Sequence, residues 1–246
     1  MPILVTDLKH YLCASRPEDD ASLTGGAIDA NCVMLAAQLA ANDVVRVVSD
    51  NAGDNQNVTI TGRLATSEID TDVIVLNGLT PVSGAKTFER ILKVDISAAP
   101  AGNITVERNT GPNDDIVIIP AGKTAAAIQF ISSTSEASIT TRFEKAGFKN
   151  EHATDTLTSA EVTLTSDPSA SVRIAVETAK NDSTTVANRK ATPAGVSFVD
   201  DGVVVAVPGN QLEAAAAVNY WAELTRAADA AAIKTSYTVQ LGGVTA

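Results

Sequence analysis

The chain has 246 residues, 45% of them hydrophobic but only 4% aromatic, with a formal net charge of −11 and a pI of about 4.6. That length holds one large or two ordinary domains, and the core has to be built from Val, Ile, Leu and Ala, which suit a thin β-sandwich. The acidic balance argues against direct binding of nucleic acid, because affinity for phosphate comes from Lys and Arg, and it favours solubility instead.

Residues 1–42 read differently from the rest. Thr6-Asp-Leu-Lys-His-Tyr-Leu12 fits a short helix capped by Thr6 or Asp7. Ser15-Arg-Pro-Glu-Asp-Asp20 reads as an exposed loop, and Gly25-Gly26 punctuates the chain after it. Residues 31–41 are rich in Ala, Leu and Met, which favours helix by propensity. The same stretch also fits an apolar strand continuing into Val44. The whole segment is expected either as an N-terminal arm that docks on a neighbouring subunit or as an element packed on its own domain.

Val44-Val-Arg-Val-Val-Ser49 is the first clear strand, and Asp50-Asn-Ala-Gly-Asp54 turns the chain with Gly53 free to take positive φ. Residues 56–107 then carry the strongest pattern. Val58 and Ile60 alternate with Thr59 and Thr61, Val73 to Leu76 form an apolar run, Leu92, Val94 and Ile96 alternate with Lys93 and Asp95, and Ile104 and Val106 alternate with Thr105 and Glu107. Period-two alternation places every second side chain on one face, so these are half-buried strands. Phe88 and Leu92 share a face while Ile91 falls on the other, which predicts a bulge or burial of both faces near Glu89-Arg90. Asn77-Gly78 is a turn dipeptide within a longer loop. Asp115-Ile-Val-Ile-Ile119 is a strand closed by Pro120.

The second half repeats the style. Strands are expected over 125–132 and 138–144, then a connector over 145–154. Further strands follow at 158–165, 172–176, 196–198, 203–207, 220–225 and 237–241, with Asp200-Asp-Gly202 as a hairpin turn. Residues 181–190 are polar and read as a loop. Ala-rich 211–217 and residues 229–232 each fit a helical turn. The expected fold is all-β: two Ig-like antiparallel β-sandwiches at 43–148 and 149–246, preceded by the arm at 1–42, with a single elongated β protein as the alternative.

No residue pattern points to a reaction. His10 and His152 are the two histidines, and neither lies in a nucleophile motif. No phosphate-binding glycine motif occurs. Cys13 and Cys32 are expected as two buried thiols rather than a bridge, and no Cys/His ligand spacing points to zinc. Asp19-Asp20, Asp70-x-Asp72, Asp114-Asp115 and Asp200-Asp201 carry hard oxygen ligands of the kind Ca²⁺ takes, but they read better as solvated turn residues. Asn57-Val-Thr59 and Asn103-Ile-Thr105 are chance sequons. Trp221 is read as core rather than as a stacking platform for sugar. Catalytic, cofactor and metal residues are therefore expected to be absent. The opening Met1-Pro-Ile-Leu-Val5 lacks a signal-peptide pattern and no run reaches transmembrane length, so the chain is expected to be made and folded in a cytoplasm, with any export following another route.

Several stretches resemble a group of β-rich virion proteins of tailed bacteriophages. In the first half they are Asp50-Asn-Ala-Gly-Asp54 leading into Asn57-Val-Thr-Ile-Thr-Gly62, Leu76-Asn-Gly78, Thr87-Phe-Glu-Arg-Ile-Leu92 and Gly102-Asn-Ile-Thr-Val106. In the second half they are Asn181-Asp182, Ala187-Asn-Arg189, Pro193-Ala-Gly-Val196, the Tyr220-Trp221 strand and its partner over 237–242. The resemblance implies a non-enzymatic component of the particle, made in the host bacterial cytoplasm and resident in the virion. That component would be a capsid decoration protein binding the head shell as a symmetric oligomer, or a neck, tail or baseplate accessory. It implies the major capsid protein or other virion proteins and copies of itself as partners, with no direct nucleic acid and no membrane. A reading of another class is an adhesin or carbohydrate-binding sandwich module.

Overall fold

A computed structural model describes residues 2–110, 115–130, 136–230 and 236–245. The chain is nearly all β. The first strands are β1 (Leu8–Ser15), β2 (Thr24–Met34), β3 (Asp43–Ser49), β4 (Asn57–Arg63), β5 (Ile69–Val75), β6 (Val82–Phe88), β7 (Arg90–Ile96), β8 (Ile104–Arg108), β9 (Asp115–Ile119) and β10 (Ala125–Ala127). They are followed by β11 (Thr140–Asn150), β12 (Leu157–Ser166), β13 (Val172–Val176), β14 (Thr185–Val186), β15 (Val204–Ala206), β16 (Gln211–Leu212), β17 (Ala217–Arg226) and β18 (Thr238–Thr245). Two three-residue 3-10 turns, Val5–Asp7 and Pro208–Asn210, are the helical elements among the described residues.

The chain forms two compact units, one of Met1–Asp29 with Ser132–Ala246 and one of Ala30–Ile131. In the Ala30–Ile131 unit, the end of β2 starts a sheet that runs on through β10, β7, β4 and β5, and a second sheet has the order β6-β3-β8-β9. The alternation read from the sequence is the burial pattern: Val45 and Val47, Val58 and Ile60, Val94 and Ile96, and Ile104 and Val106 are all buried. Both expectations at the irregularity of β7 hold. The pairing of β4 with β7 shifts between Thr61 and Gly62, and Ile91 and Leu92 are both buried. The chain also changes sheets at Glu89, which separates β6 from β7. Gly53 does not use positive φ; the Asn51 carboxamide holds that turn by accepting from the Gly53 N–H at 2.8 Å.

The other unit has the sheet order β13-β17-β11-β1-β2, with β14 on β2, and a second sheet in which β12 pairs β15 and β16 along one edge and β18 along the other. Here several expectations are corrected. Residues 6–12 are not a helix: after the 3-10 turn they enter β1, which pairs with β11 from Leu8↔Asn150 to Leu12↔Ala146. Tyr11, Leu12 and Cys13 are buried. Residues 31–41 hold the end of β2 and then irregular chain, with no helix. The segment 1–42 is thus not an arm but supplies interior strands, because backbone pairing on both sides of β1 outweighs weak local helix propensity.

The boundary expected at 145–155 is also overturned. Residues 145–150 are the second half of β11, paired to β1 on one side and β17 on the other. Their Lys and Gly content gave a connector-like reading, but both faces of this strand are covered. Residues 211–217 contain β16 and a turn rather than a helical turn. Residues 196–198 form no strand beyond the neighbouring Ile174↔Val199 bridge, so Asp200-Asp-Gly202 is a turn without a hairpin. Asp229 lies in a turn, and residues 231–232 lie outside the described residues.

Candidate functional site: a buried lysine between two carboxylates

Alternation along β11 sends Arg142 and Glu144 to one face and Phe143 and Lys145 to the other. On the second face, Phe143, Ala175 and Trp221 form a buried cluster, and Val186, Val196 and Phe198 of the segment after β13 pack against it. Lys145 is opposite Trp221 in the β11–β17 ladder, with its Nζ 5.3 Å from the indole centroid. Its side chain is 0% exposed.

An ammonium in that position requires oxygen partners. The chain provides three. Glu177, one residue past β13, places Oε1 3.0 Å from Nζ. Asp182 Oδ1 is in direct contact with Nζ. Nζ also donates to the Thr184 carbonyl at 3.1 Å. The Glu177 and Asp182 side chains are 7% and 19% exposed.

Each carboxylate is itself fixed. The Trp221 indole N–H donates to Glu177 Oε1 at 2.6 Å. The Thr184 N–H donates to Asp182 Oδ1 at 2.8 Å, and its hydroxyl donates to Oδ2 at 2.9 Å. The backbone between them is anchored by Glu177 N–H to the Asn219 carbonyl, Asn181 N–H to the Ala217 carbonyl and Asn219 Nδ2 to the Asp182 carbonyl. Gly25 completes the enclosure at φ +100°; a Cβ there would lie 2.6 Å from the Trp221 ring and 2.8 Å from the Thr184 carbonyl, so only glycine fits.

The electrostatics follow the geometry. Burial pushes the Asp182 carboxyl up, but its bonds to Lys145 and Thr184 outweigh that and hold it below the usual aspartate range. Cys13 feels the same three charges; burial pushes its thiol up to about 12, so it is a neutral neighbour rather than a thiolate. Both cysteines are free and buried, as expected.

On the other face of β11, Arg142 forms a two-point pair with Asp20 at 2.7 and 2.9 Å and also bonds Glu136 at 2.8 Å. Lys190 bridges the same two acids, and Arg189 pairs with Glu144. Asp20 is thus a buried-arginine partner rather than a solvated turn residue. Of the other acidic pairs, Asp200 is a solvated turn residue, 77% exposed, and Asp70 and Asp72 make local contacts. Asp70 binds Lys86 at 2.5 Å, Asp72 accepts the Ala85 and Lys86 N–H groups at 2.7 and 2.9 Å, and Asp200 pairs with Arg173 at 3.2 Å. Asp114 lies outside the described residues. Among the described residues, no three His, Cys, Asp or Glu side chains gather as a metal-binding group.

The histidines serve structure. His10 stacks on Phe148 with ring centroids 4.2 Å apart, and its Nε2 is 2.9 Å from the Tyr220 hydroxyl. His152 Nδ1 accepts from the Asp155 N–H at 2.9 Å. Trp221 is fully buried, as expected of a core residue. The sequence marks none of Lys145, Glu177 and Asp182 as a site residue, and Asp182 enters there only within the Asn181-Asp182 resemblance. The available signal was a lysine flanked by Phe143 and Phe148 in a stretch that has to be strand rather than connector.

No family model, curated protein or solved structure matches this chain.

Proposed function

We propose that the chain is a non-enzymatic virion structural protein of tailed bacteriophages, a capsid decoration protein that binds the head shell as a symmetric oligomer. The motif resemblance supports this reading, as do the structural contacts of His10, His152, Asp20 and Asp72 and the burial of both cysteines. One observation carries the attachment itself. β18 pairs with β12 along one edge, and among the described residues no strand pairs with its other edge. Its sequence, Thr238-Val-Gln-Leu-Gly-Gly-Val-Thr245, has no charge and no proline.

Edge strands normally carry lysine, proline or a covering group that prevents sheet extension. β6 is protected in that way, since Asp72 occupies two of its N–H groups. Among the described residues β18 has no such guard, and Val244 is 57% exposed on it. Main-chain pairing to such an edge supplies affinity without a pocket. Repetition over a symmetric lattice then multiplies a modest contact. In the other unit, Ile69, Val73 and Val75 on β5 give a second exposed apolar stripe for protein contact. The carbohydrate-binding alternative rested on Trp221, which is enclosed.

Purification of intact particles tests the proposal. The protein is expected to sediment with them, and cryo-electron microscopy is expected to place it on the head shell. Density at the neck or tail would move it to the accessory role, and its absence from particles would overturn the virion reading.

A further inference from the structure

The Lys145 site holds one ammonium and two carboxylates with little exposure to solvent. As an ion pair it keeps charges away from solvent at a substantial desolvation cost. As an assembled amine and acyl group it also has the geometry for a reaction. We propose that Lys145 and Asp182 condense to an intramolecular amide bond, with Glu177 as the proton carrier.

The amine and the acyl group are already in contact, held by β11 on one side and by the anchored segment after β13 on the other. Such placement replaces a bimolecular encounter with an intramolecular one and removes most of the entropic barrier. Nζ is in direct contact with Asp182 Oδ1, and one ammonium proton passes to that oxygen, leaving a neutral amine beside a carboxylic acid. Nζ attacks Cγ of Asp182, forming the new N–C bond. One negative charge then develops on the Asp182 oxygens, which the Thr184 N–H and hydroxyl already face at 2.8 and 2.9 Å. Glu177 Oε1, 3.0 Å from Nζ, takes a second proton from the nitrogen and delivers it to the protonated oxygen. The C–O bond to that oxygen breaks, and it leaves as water.

The step balances without any oxidant or co-reactant. An ammonium and a carboxylate become a neutral amide and one water, the amide nitrogen keeps one hydrogen, and Glu177 returns to its carboxylate. Two buried charges disappear. The product N–H remains beside Glu177, and the product carbonyl remains beside Thr184. Low exposure of Lys145 and Glu177, under Trp221, Phe143 and the covering segment, keeps out the water that would reverse the reaction. The bond would tie residues 37 positions apart. The inference is independent of the attachment reading, because it concerns the fold of one unit.

The test is denaturing mass spectrometry of the purified full-length chain, with protease mapping. The expected result is a chain lighter by one water, and a branched peptide that contains both Lys145 and Asp182 and survives reduction. Asp182→Ala and Lys145→Arg should each restore the full mass expected from their sequences. Because either substitution disturbs a buried charge, Glu177→Gln is the second variant. It keeps an oxygen for the Trp221 N–H but takes up no proton, so a folded Glu177→Gln chain, verified by circular dichroism, should keep the unreacted mass. Separate linear Lys145 and Asp182 peptides from the unmodified protein would overturn the proposal. A bond from Lys145 to Glu177, or full condensation in Glu177→Gln, would overturn the assigned roles.

Discussion

His10 and Asp20 give the acid limb of the stability profile two separable causes. Burial lowers the His10 imidazole to about 4. The unfolded chain takes up that proton at the ordinary histidine value of about 6.5, whereas the folded chain does not until about 4. Stability should therefore fall as pH drops between those two values and gain no further loss from this group below. Asp20 has the opposite sign of charge. Its bonds to Arg142, reinforced by Lys190, lower it to about 2. That contribution is intact above the ordinary aspartate value and is lost as pH falls through the folded value. Urea midpoints measured across pH should show both limbs, with His10→Gln removing the upper one and Asp20→Asn the lower one. At the same scale, Val94 and Leu224 are buried on their strands while Lys93 is half-exposed beside Asp95. Val94→Ala and Leu224→Ala should each cost about 2–4 kcal/mol, and Lys93→Ala under about 1 kcal/mol. Equal losses for Lys93→Ala and Val94→Ala in denaturant melts would show the β7 register to be wrong.

At the scale of elements, legibility depended on whether a strand has one wet face. β3, β4 and β8 do, so alternation of Val and Ile with Arg, Thr and Glu placed them within a residue or two. β9 was legible as an apolar run closed by Pro120. β11 has both faces covered, with Arg142, Glu144 and Lys145 buried by pairing rather than by apolarity. No period-two signal survives there, and its charges suggested a surface connector. β1 failed for a related reason: its residues have no strong strand propensity, and distant backbone pairing decides its structure. The Lys145 site shared that fate, since Asp182 and Glu177 reach it only through the segment after β13. The arm reading makes the sharpest contrast. An arm can be removed from a folded body, but β1 lies between β11 and β2. Deleting residues 1–26 should thus unfold the unit that contains β11, seen as lost near-ultraviolet signal and rapid proteolysis of residues 140–226. A truncated chain that melts like the full one would restore the arm.

For the whole molecule, the net charge of −11 sets the terms of assembly. Copies of a strongly acidic chain repel one another, and the repulsion is weakest where the contacting surface carries no charge. β18 brings no charged side chain of its own over its eight residues and, among the described residues, is paired along one edge only. Gly243 holds it close to β12, since a Cβ there would lie 2.6 Å from Leu157, so the strand is presented as a fixed template. Lysine on an exposed edge blocks sheet extension at little cost to the fold. Gln240 and Val244 are both exposed, so Gln240→Lys with Val244→Lys should leave the thermal midpoint nearly unchanged. Adding two cations to an acidic protein reduces its general repulsion, so a contact governed by net charge would strengthen in the double variant. A contact made by the β18 backbone would weaken instead. Counting copies retained on stripped particles after sedimentation, at low and at physiological salt, separates the two. Retention should drop at least tenfold at both salt concentrations, and undiminished retention would remove β18 from the attachment mechanism.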